Sequence, residues 1–117
     1  MITVRERRIY FAGDTAYVPI FTEIGKRLGP VDLALLPIGA YEPRWFMHAV
    51  HMNPAEAVRA HLELDARESI GMHYGTFQLT IEAIDAPLRA LDEARAEHSV
   101  TATQFRTIGF GESVRLP

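Results

Sequence analysis

The stretch Ile9-Tyr10-Phe11-Ala12-Gly13-Asp14-Thr15 decides the fold that we expect for this chain. Its apolar first half, residues 9–12, is typical of a buried β-strand, and the strand ends abruptly at Gly-Asp-Thr. Glycine lets the backbone turn sharply, and open α/β sheets bind ligands just past the carboxyl ends of their strands. Asp14 is therefore a candidate ligand-binding carboxylate. A turn or helix-capping role is the alternative, because aspartate is common in both.

The residues on either side of this stretch predict alternating strands and helices. Further strands are expected at Ile2–Val4, Val31–Pro37 and residues 69–72. Helices are expected at residues 19–28, at residues 54–64 behind an Asn53 cap, and at residues 86–98 behind an Asp85 cap. Residues 105–108 and 113–116 predict two closing strands or a hairpin. The strand–helix–strand order implies parallel strands joined by crossovers, so the sequence predicts one α/β domain.

Composition narrows the classes of function. The chain has 117 residues, the length of one domain, and is 48% hydrophobic and 23% charged, which is typical of a globular protein. It has no cysteine, so any metal must be held by histidine and carboxylate. The net charge of −3 and the scattered basic residues argue against nucleic acid as a partner. The Walker A, G-x-G-x-x-G and G-x-S-x-G motifs are absent from the sequence.

Hydropathy bears on location. No apolar run approaches the roughly 20 residues that cross a bilayer. The charged N-terminus is not followed by the apolar core of a signal peptide. We therefore expect no transmembrane segment and a cytoplasmic location, with peripheral contact to a membrane as the alternative.

Histidine and aspartate follow two of the predicted parallel strands. His73 comes directly after the strand at residues 69–72, as Asp14 does after its own strand. Because parallel strands end at one edge of the sheet, these two side chains can converge and suit zinc, manganese or iron. A purely structural role for His73 is the alternative. His51 precedes a helix and can face the same edge, whereas His61 and His98 are expected to be exposed to solvent.

A long irregular segment, residues 39–53, lies between the predicted strand at Val31–Pro37 and the predicted helix at residues 54–64. It carries the only tryptophan of the chain, Trp45, together with Tyr41, Phe46 and Met47. Loops of this length in a compact domain are often functional. The aromatic cluster is either a binding wall or a satellite core beneath the loop.

Five segments of this sequence resemble one known family. They are Tyr10-Phe11-Ala12-Gly13-Asp14-Thr15, Glu23-Ile24-Gly25-Lys26-Arg27, Asp32-Leu33-Ala34-Leu35-Leu36-Pro37-Ile38-Gly39-Ala40-Tyr41-Glu42-Pro43-Arg44-Trp45-Phe46-Met47, His51-Met52-Asn53-Pro54 with Glu56-Ala57-Val58, and His73-Tyr74-Gly75-Thr76-Phe77. Together they resemble the C-terminal half of the metallo-β-lactamase fold, and within it the N-acyl-phosphatidylethanolamine-hydrolysing phospholipase D group. The resemblance covers nearly the whole chain. It implies that residues 1–117 form half of an αββα sandwich, with one mixed sheet and helices on its outer face.

The resemblance also implies a reaction and roles for individual residues. Asp14 matches a residue that bridges two zinc ions, His73 matches a ligand of one ion, and His51 matches a histidine near the phosphate or leaving group. Asp14 and His51 are accordingly the candidate catalytic residues. The residues expected to contact an acyl chain or head group are Tyr41, Arg44, Trp45 and Phe46. The implied reaction is hydrolysis of a phosphodiester, and the expected substrate is a phospholipid. The neighbouring alternative is the reaction of a lactonase-type hydrolase of sugar phosphates.

The chain departs from the family in its metal ligands. The family motif His-x-His-x-Asp-His is absent, as is a further histidine that precedes the bridging aspartate. Catalytic zinc normally has three protein ligands, so we expect partial or no zinc occupancy and little turnover by this polypeptide alone. The alternative function is a catalytically inactive, truncated α/β module that acts as an oligomeric or interaction subunit.

The half-sandwich has a consequence for assembly. One face of its sheet, with Phe11, Leu33, Leu35 and Ile70, would lack a covering layer. Large exposed apolar patches are unusual on soluble monomers. We therefore expect either a homo-oligomer or a fragment that lacks its N-terminal half.

Overall fold

In the computed structural model, which describes residues 1–116, the strands form one mixed sheet in the order β1-β2-β3-β4-β5. The strands are β1 (Ile2–Val4), β2 (Arg7–Phe11), β3 (Val31–Pro37), β4 (Ala66–Met72) and β5 (Phe105–Arg106). The β1 and β2 strands are antiparallel, and the other neighbours are parallel. The helices are α1 (Ile20–Leu28), α2 (Arg44–Met47), α3 (Pro54–Glu63) and α4 (Ala86–Glu97). The predicted α/β class is confirmed.

The core lies on one face of this sheet, beneath α1, α3 and α4. Ala34 and Leu36 of β3 point to this face and are fully buried against Phe21 of α1, Val58 of α3 and Leu91 of α4. All three crossover helices thus cover the same side, because each contributes an apolar stripe to one cluster. The expected arrangement of one mixed sheet with helices on a single face is confirmed.

The opposite face of the sheet is only partly exposed. Phe11 is 55% exposed and Leu35 is half-buried, as expected for a face without a second layer. The prediction of exposure is wrong for Leu33 and Ile70, which are each only 6% exposed. Both lie on central strands, where neighbouring side chains cover them from either side; Arg106, for example, is the register partner of Ile70. The predicted burial of β2 is also wrong, since its residues are half-buried or exposed.

The start of α3 follows its sequence signals. The side chain of Asn53 accepts a hydrogen bond from the Glu56 backbone N–H (2.8 Å), and the Glu56 carboxylate accepts one from the Asn53 N–H (2.9 Å). This reciprocal capping box satisfies two orphan donors of the first turn, and Pro54 needs no N–H partner there. The predicted Asn53 cap is confirmed.

Two predictions near the ends of elements are only partly confirmed. Asp85 occupies the N-cap position of α4, but its side chain makes no capping hydrogen bond and instead pairs with Arg89 one turn later. Of the two closing strands, only Phe105–Arg106 forms, and residues 113–116 contain no strand. Strand pairing depends on a neighbour at the sheet edge, which sequence alternation does not encode. None of the helices within residues 1–116 has the length and apolarity needed to cross a bilayer.

The buried side of α3 includes a histidine. Ala57, Val58 and His61 are buried, whereas Ala55 and Leu62 are exposed. His61 is 2% exposed, so its expected solvent exposure is wrong. Its Nδ1 lies 2.8 Å from the hydroxyl oxygen of Ser69, which is itself fully buried. The hydrogen bond to Ser69 lets the imidazole replace an aliphatic residue in the helix–sheet interface.

This buried imidazole is expected to make stability depend on pH. Burial lowers the pKa of His61 below its usual value of 6.5. Below pH 6.5 the imidazole binds a proton in the unfolded chain but stays neutral in the folded chain. The free energy of unfolding should therefore fall as the pH drops, by up to about 1.4 kcal/mol per pH unit. Urea unfolding at pH 7.5 and pH 5.0 measures the loss. The loss of free energy of unfolding should be smaller in His61→Gln than in the wild type, and in His98→Gln it should equal that of the wild type. An equal loss in all three proteins would contradict the assignment of the pH dependence to His61.

Candidate metal centre

Three side chains from separate parts of the chain meet at the carboxyl edge of the sheet. Nε2 of His51 lies 2.8 Å from one carboxylate oxygen of Asp14, and Nε2 of His73 lies 3.7 Å from the other. One ligand atom from each residue falls within 4.8 Å of the other two. The two imidazole rings are 5.1 Å apart between centroids. We call Asp14, His51 and His73 the candidate metal centre.

Left-handed backbone conformations orient the side chains of two of these residues, Asp14 and His73. Gly13 has φ +73° and turns the chain after β2, so that Asp14 faces the edge of the sheet. His73 has φ +61° directly after β4, a conformation that histidine adopts at a cost. Gly39 permits this arrangement, because a β-carbon there would lie 2.3 Å from the His73 carbonyl oxygen. The strand ends therefore pack too closely for any larger residue at position 39.

Backbone hydrogen bonds tie these segments together. The Met52 N–H donates to the Thr15 carbonyl (3.1 Å), which joins the residue after His51 to the residue after Asp14. The Ile38 N–H donates to the Met72 carbonyl (3.0 Å), which extends the β3–β4 ladder to the residue before His73. The relative placement of the three side chains is thus determined by main-chain contacts.

The ring of His51 is held by a hydrogen bond on the side away from Asp14. Its Nδ1 lies 2.7 Å from the carbonyl oxygen of Ala40. Because a carbonyl can only accept, Nδ1 carries a hydrogen. Nε2 faces the Asp14 carboxylate, which can likewise only accept, so a metal bound between them would take the place of a hydrogen on Nε2. Metal-binding histidines are commonly oriented in this way by a backbone carbonyl. His51 is 16% exposed and His73 27%, whereas the Asp14 side chain is 60% exposed.

This donor set fits a divalent cation. Two imidazole nitrogens and one carboxylate are the ligands of many catalytic zinc sites, which keep a further position open. The exposed side of Asp14 leaves room for that position. Within residues 1–116, this is the single cluster of at least three such side chains, so a second ion would need ligands from elsewhere.

The loop residues that sequence reasoning assigned to substrate divide into two groups. Tyr41 is buried, and the Arg44 guanidinium donates to both Glu56 carboxylate oxygens (3.0 and 2.8 Å) and to the carbonyls of Tyr41 (3.2 Å) and His51 (3.1 Å). Trp45 and Phe46 are 78% and 62% exposed. Their rings are 5.8 Å apart between centroids. The loop therefore serves both as a packed support and as an exposed aromatic surface.

Three supporting residues were missed in the sequence. The Ala40 carbonyl gives no signal in a sequence, because any residue carries one. Glu56 has a signal, since Asn53 three positions earlier makes an N-x-x-E capping box. Glu82 has none, because its partners Tyr41 and Glu42 lie about forty positions away.

An apolar groove opens beside the candidate metal centre. It has a volume of about 620 Å³ and is lined in part by Leu35, Ile70, His73, Phe77 and Phe110. Phe77 and Phe110 are 75% and 80% exposed. The size is that of a small-molecule site, and the lining suits an apolar ligand.

Comparison with known proteins agrees with this fold. Residues 1–74 match the family model for the beta-lactamase superfamily domain. The chain is similar in structure to a metallo-beta-lactamase fold protein, YhfI from Bacillus subtilis, with a TM-score of 0.61 and 23% sequence identity over 89% of this chain and 38% of that protein.

Two sequence relatives are more informative about chemistry. The N-acyl-phosphatidylethanolamine-hydrolyzing phospholipase D 1 of Caenorhabditis elegans is 49% identical over 109 residues, which are 91% of this chain and 31% of the relative. A UPF0173 metal-dependent hydrolase of Listeria monocytogenes is 36% identical over 116 residues, 99% of this chain and 43% of the relative. The chain thus spans less than half the length of these relatives. The resemblance inferred from its motifs is confirmed.

Proposed function

This chain belongs to the beta-lactamase superfamily, and on that basis we propose that residues 1–117 form the C-terminal half of a zinc-dependent phosphodiester hydrolase of the metallo-β-lactamase fold. One observation carries the proposal: Asp14, His51 and His73 meet at the carboxyl edge of the sheet, with ligand atoms within 4.8 Å of one another. The name of the Listeria relative, a metal-dependent hydrolase, supports it.

In this proposal Asp14 and His73 hold the metal, and His51 is either a third ligand or a contact to the substrate phosphate. A zinc ion bound there would lower the pKa of water and polarise a phosphoryl oxygen. The fold of the chain orients the two histidine rings. The Ala40 carbonyl directs Nε2 of His51 into the site, and the left-handed turn at His73 directs the second imidazole. Both histidines thus have their geometry determined before a ligand arrives, which reduces the cost of binding.

A phospholipid is the proposed substrate class. According to its name, the C. elegans relative hydrolyses N-acyl-phosphatidylethanolamine. In this chain, the apolar groove beside His73 has the volume and lining to take an acyl chain. Trp45 and Phe46 offer a further exposed aromatic surface of the type that lies at membrane–water interfaces. We assign acyl contact to these two residues, and a supporting role to Tyr41 and Arg44.

The exposed apolar residues on one face of the sheet are the reason to expect a second layer that covers them. Ile2, Val4 and Phe11 are between 46% and 55% exposed on adjacent strands, and their register places them on one face with Ile9. We propose that this face is covered in the complete fold by the remainder of a longer polypeptide, with a second copy of this chain as the alternative cover. Sizing chromatography of the 117-residue chain distinguishes a monomer from an oligomer.

The proposed function is tested by transplanting the chain. Replacing the matching segment of the C. elegans relative with residues 1–117 should give a chimera that cleaves the phosphodiester of N-acyl-phosphatidylethanolamine, because the two segments share 49% identity. Mass spectrometry of the lipid products measures the cleavage. The isolated chain should show little or none, since it lacks the remaining metal ligands of the family.

The same chimera with Asp14→Asn is the control and should lose cleavage. A folded, zinc-loaded chimera that cleaves neither the lipid nor bis(p-nitrophenyl) phosphate would exclude the proposed function and favour the inactive interaction module. Cleavage of the water-soluble diester alone would retain the reaction and exclude phospholipid as the substrate class.

A further inference from the structure

The carboxylate of Glu82 binds the turn that supports the candidate metal centre. One oxygen accepts the backbone N–H of Tyr41 (3.1 Å), and the other accepts that of Glu42 (3.2 Å). The Thr80 hydroxyl donates to the second oxygen (2.6 Å) and orients the carboxylate. Partial burial would raise the pKa of Glu82, but hydrogen bonds from the Thr80 hydroxyl and from the backbone N–H groups of Glu82 itself, Tyr41 and Glu42 outweigh it and lower the pKa below its usual value. Glu82 is therefore an ionised acceptor for two successive backbone donors.

The turn that Glu82 binds is conformationally costly. Ala40 has φ +61°, in the left-handed region that alanine rarely occupies. Such a conformation persists only where surrounding contacts impose it. The two N–H groups that immediately follow Ala40 are those that donate to Glu82. The carboxylate thus stabilises the turn directly after its strained residue.

This turn ends in contact with His51. The Ala40 carbonyl lies 2.7 Å from Nδ1 of His51, on the side of the ring away from Asp14. The carbonyl belongs to the peptide group whose N–H, on Tyr41, donates to Glu82, so its direction depends on that peptide plane. A rotation of the plane would move the carbonyl away from Nδ1 and release the ring.

We propose that Glu82 is a positioning residue, which holds the turn at residues 40–42 so that the Ala40 carbonyl keeps Nε2 of His51 aimed at Asp14. The inference rests on the proposed role of His51 in the candidate metal centre. Glu82 does not reach the centre itself and acts through one peptide plane and one imidazole. A residue that contributes only to folding would change the stability of the chain and leave both the His51 tautomer and the affinity for metal unaltered.

Glu82→Gln tests this role with little change in shape. The amide presents an NH₂ group to one of the two N–H donors, so one of the two bonds is lost. Long-range ¹H–¹⁵N spectra of the metal-free 117-residue chain at pH 8.5 should show Nδ1 of His51 protonated, because the Ala40 carbonyl accepts its hydrogen. In Glu82→Gln, a fraction of the rings should instead carry a hydrogen on Nε2 alone, which the Asp14 carboxylate accepts. Calorimetric titration with Zn²⁺ should show affinity weaker by roughly 10-fold, the lower end of the effect of outer contacts on metal sites.

Glu97→Gln is the matched control, because Glu97 is exposed on α4 and the substitution changes charge identically. It should leave the tautomer and the Zn²⁺ affinity unchanged. Thr80→Val is a milder variant that removes only the orienting hydroxyl, and it should shift both readouts in the same direction by less.

The two hypotheses fail differently. A wild-type chain that binds no Zn²⁺ would count against the candidate metal centre as a site that this chain forms alone, while the spectra of His51 would still report on Glu82; the proposed function itself is tested by the chimera. A folded Glu82→Gln protein with an unchanged His51 tautomer would overturn the positioning role. Loss of folding in both Glu82→Gln and Thr80→Val would assign Glu82 to structure alone and overturn it equally.

Discussion

Asp14→Asn is expected to weaken binding of Zn²⁺ to the 117-residue chain by at least about 100-fold. Its carboxylate faces both Nε2 atoms of the candidate metal centre, at 2.8 Å from His51 and 3.7 Å from His73. Contacts outside the ligand shell already change metal affinity by about 10–100-fold, so loss of a charged ligand should exceed that range. Calorimetric titration measures the affinity. Thermal unfolding should change little, because the Asp14 side chain is 60% exposed.

Asp65→Asn serves as the matched control for this substitution. Asp65 is exposed in a left-handed turn that asparagine also tolerates, and the change in charge is identical. Zn²⁺ affinity should be unchanged there. If both variants bind as tightly as the wild type, the metal is held elsewhere and the candidate metal centre is wrong. If both weaken equally, the effect is one of net charge.

The largest loss of stability is expected from Phe21→Ala, at about 3–5 kcal/mol in the free energy of unfolding. Phe21 is 1% exposed and is the one fully buried side chain of α1. Its ring stacks on Tyr17 with centroids 5.8 Å apart and meets Tyr10 edge-on at 6.3 Å. Truncation removes both aromatic contacts and leaves a cavity between α1 and the sheet. Urea unfolding measures the change.

Ile20→Ala, the neighbouring residue on α1, is the control. Ile20 is 52% exposed, so its truncation should cost less than about 1 kcal/mol. Equal losses for the two substitutions would mean that α1 does not dock on the sheet through Phe21. Phe21→Leu fills part of the cavity and should lie between the wild type and Phe21→Ala, which retains a measurable result if the alanine variant does not fold.

Several features could be predicted because their signals are local. The Asn53–Pro54 pair marked the start of α3, since capping and the missing proline N–H are properties of adjacent residues. Asp14 and His73 could be predicted because each lies within three residues of the end of an apolar strand, and parallel strands end at one edge. Their actual separation required the coordinates. The roles assigned to these residues in catalysis remain predictions.

Other features could not be predicted because they depend on contacts between distant segments. His61 was expected in solvent, yet the rotation of α3 about its axis turns it onto the fully buried Ser69, which forms a hydrogen bond with it. Arg44 was assigned to a substrate head group, yet Glu56 and two backbone carbonyls occupy its guanidinium. A charged residue in an aromatic loop has the same sequence pattern in either role.

By itself, the sequence determined the α/β class, the strand–helix order and the residue types available to a metal, because apolar periodicity and residue chemistry are written along the chain. The tertiary structure alone decided that His51 joins Asp14 and His73, that Arg44 and Glu82 support the loop, and which part of the sheet stays uncovered. These outcomes depend on hydrogen bonds and packing between residues up to about sixty positions apart, as Asp14 and His73 are. Such pairs are selected by the geometry of the whole fold, in which each burial or contact competes with every other.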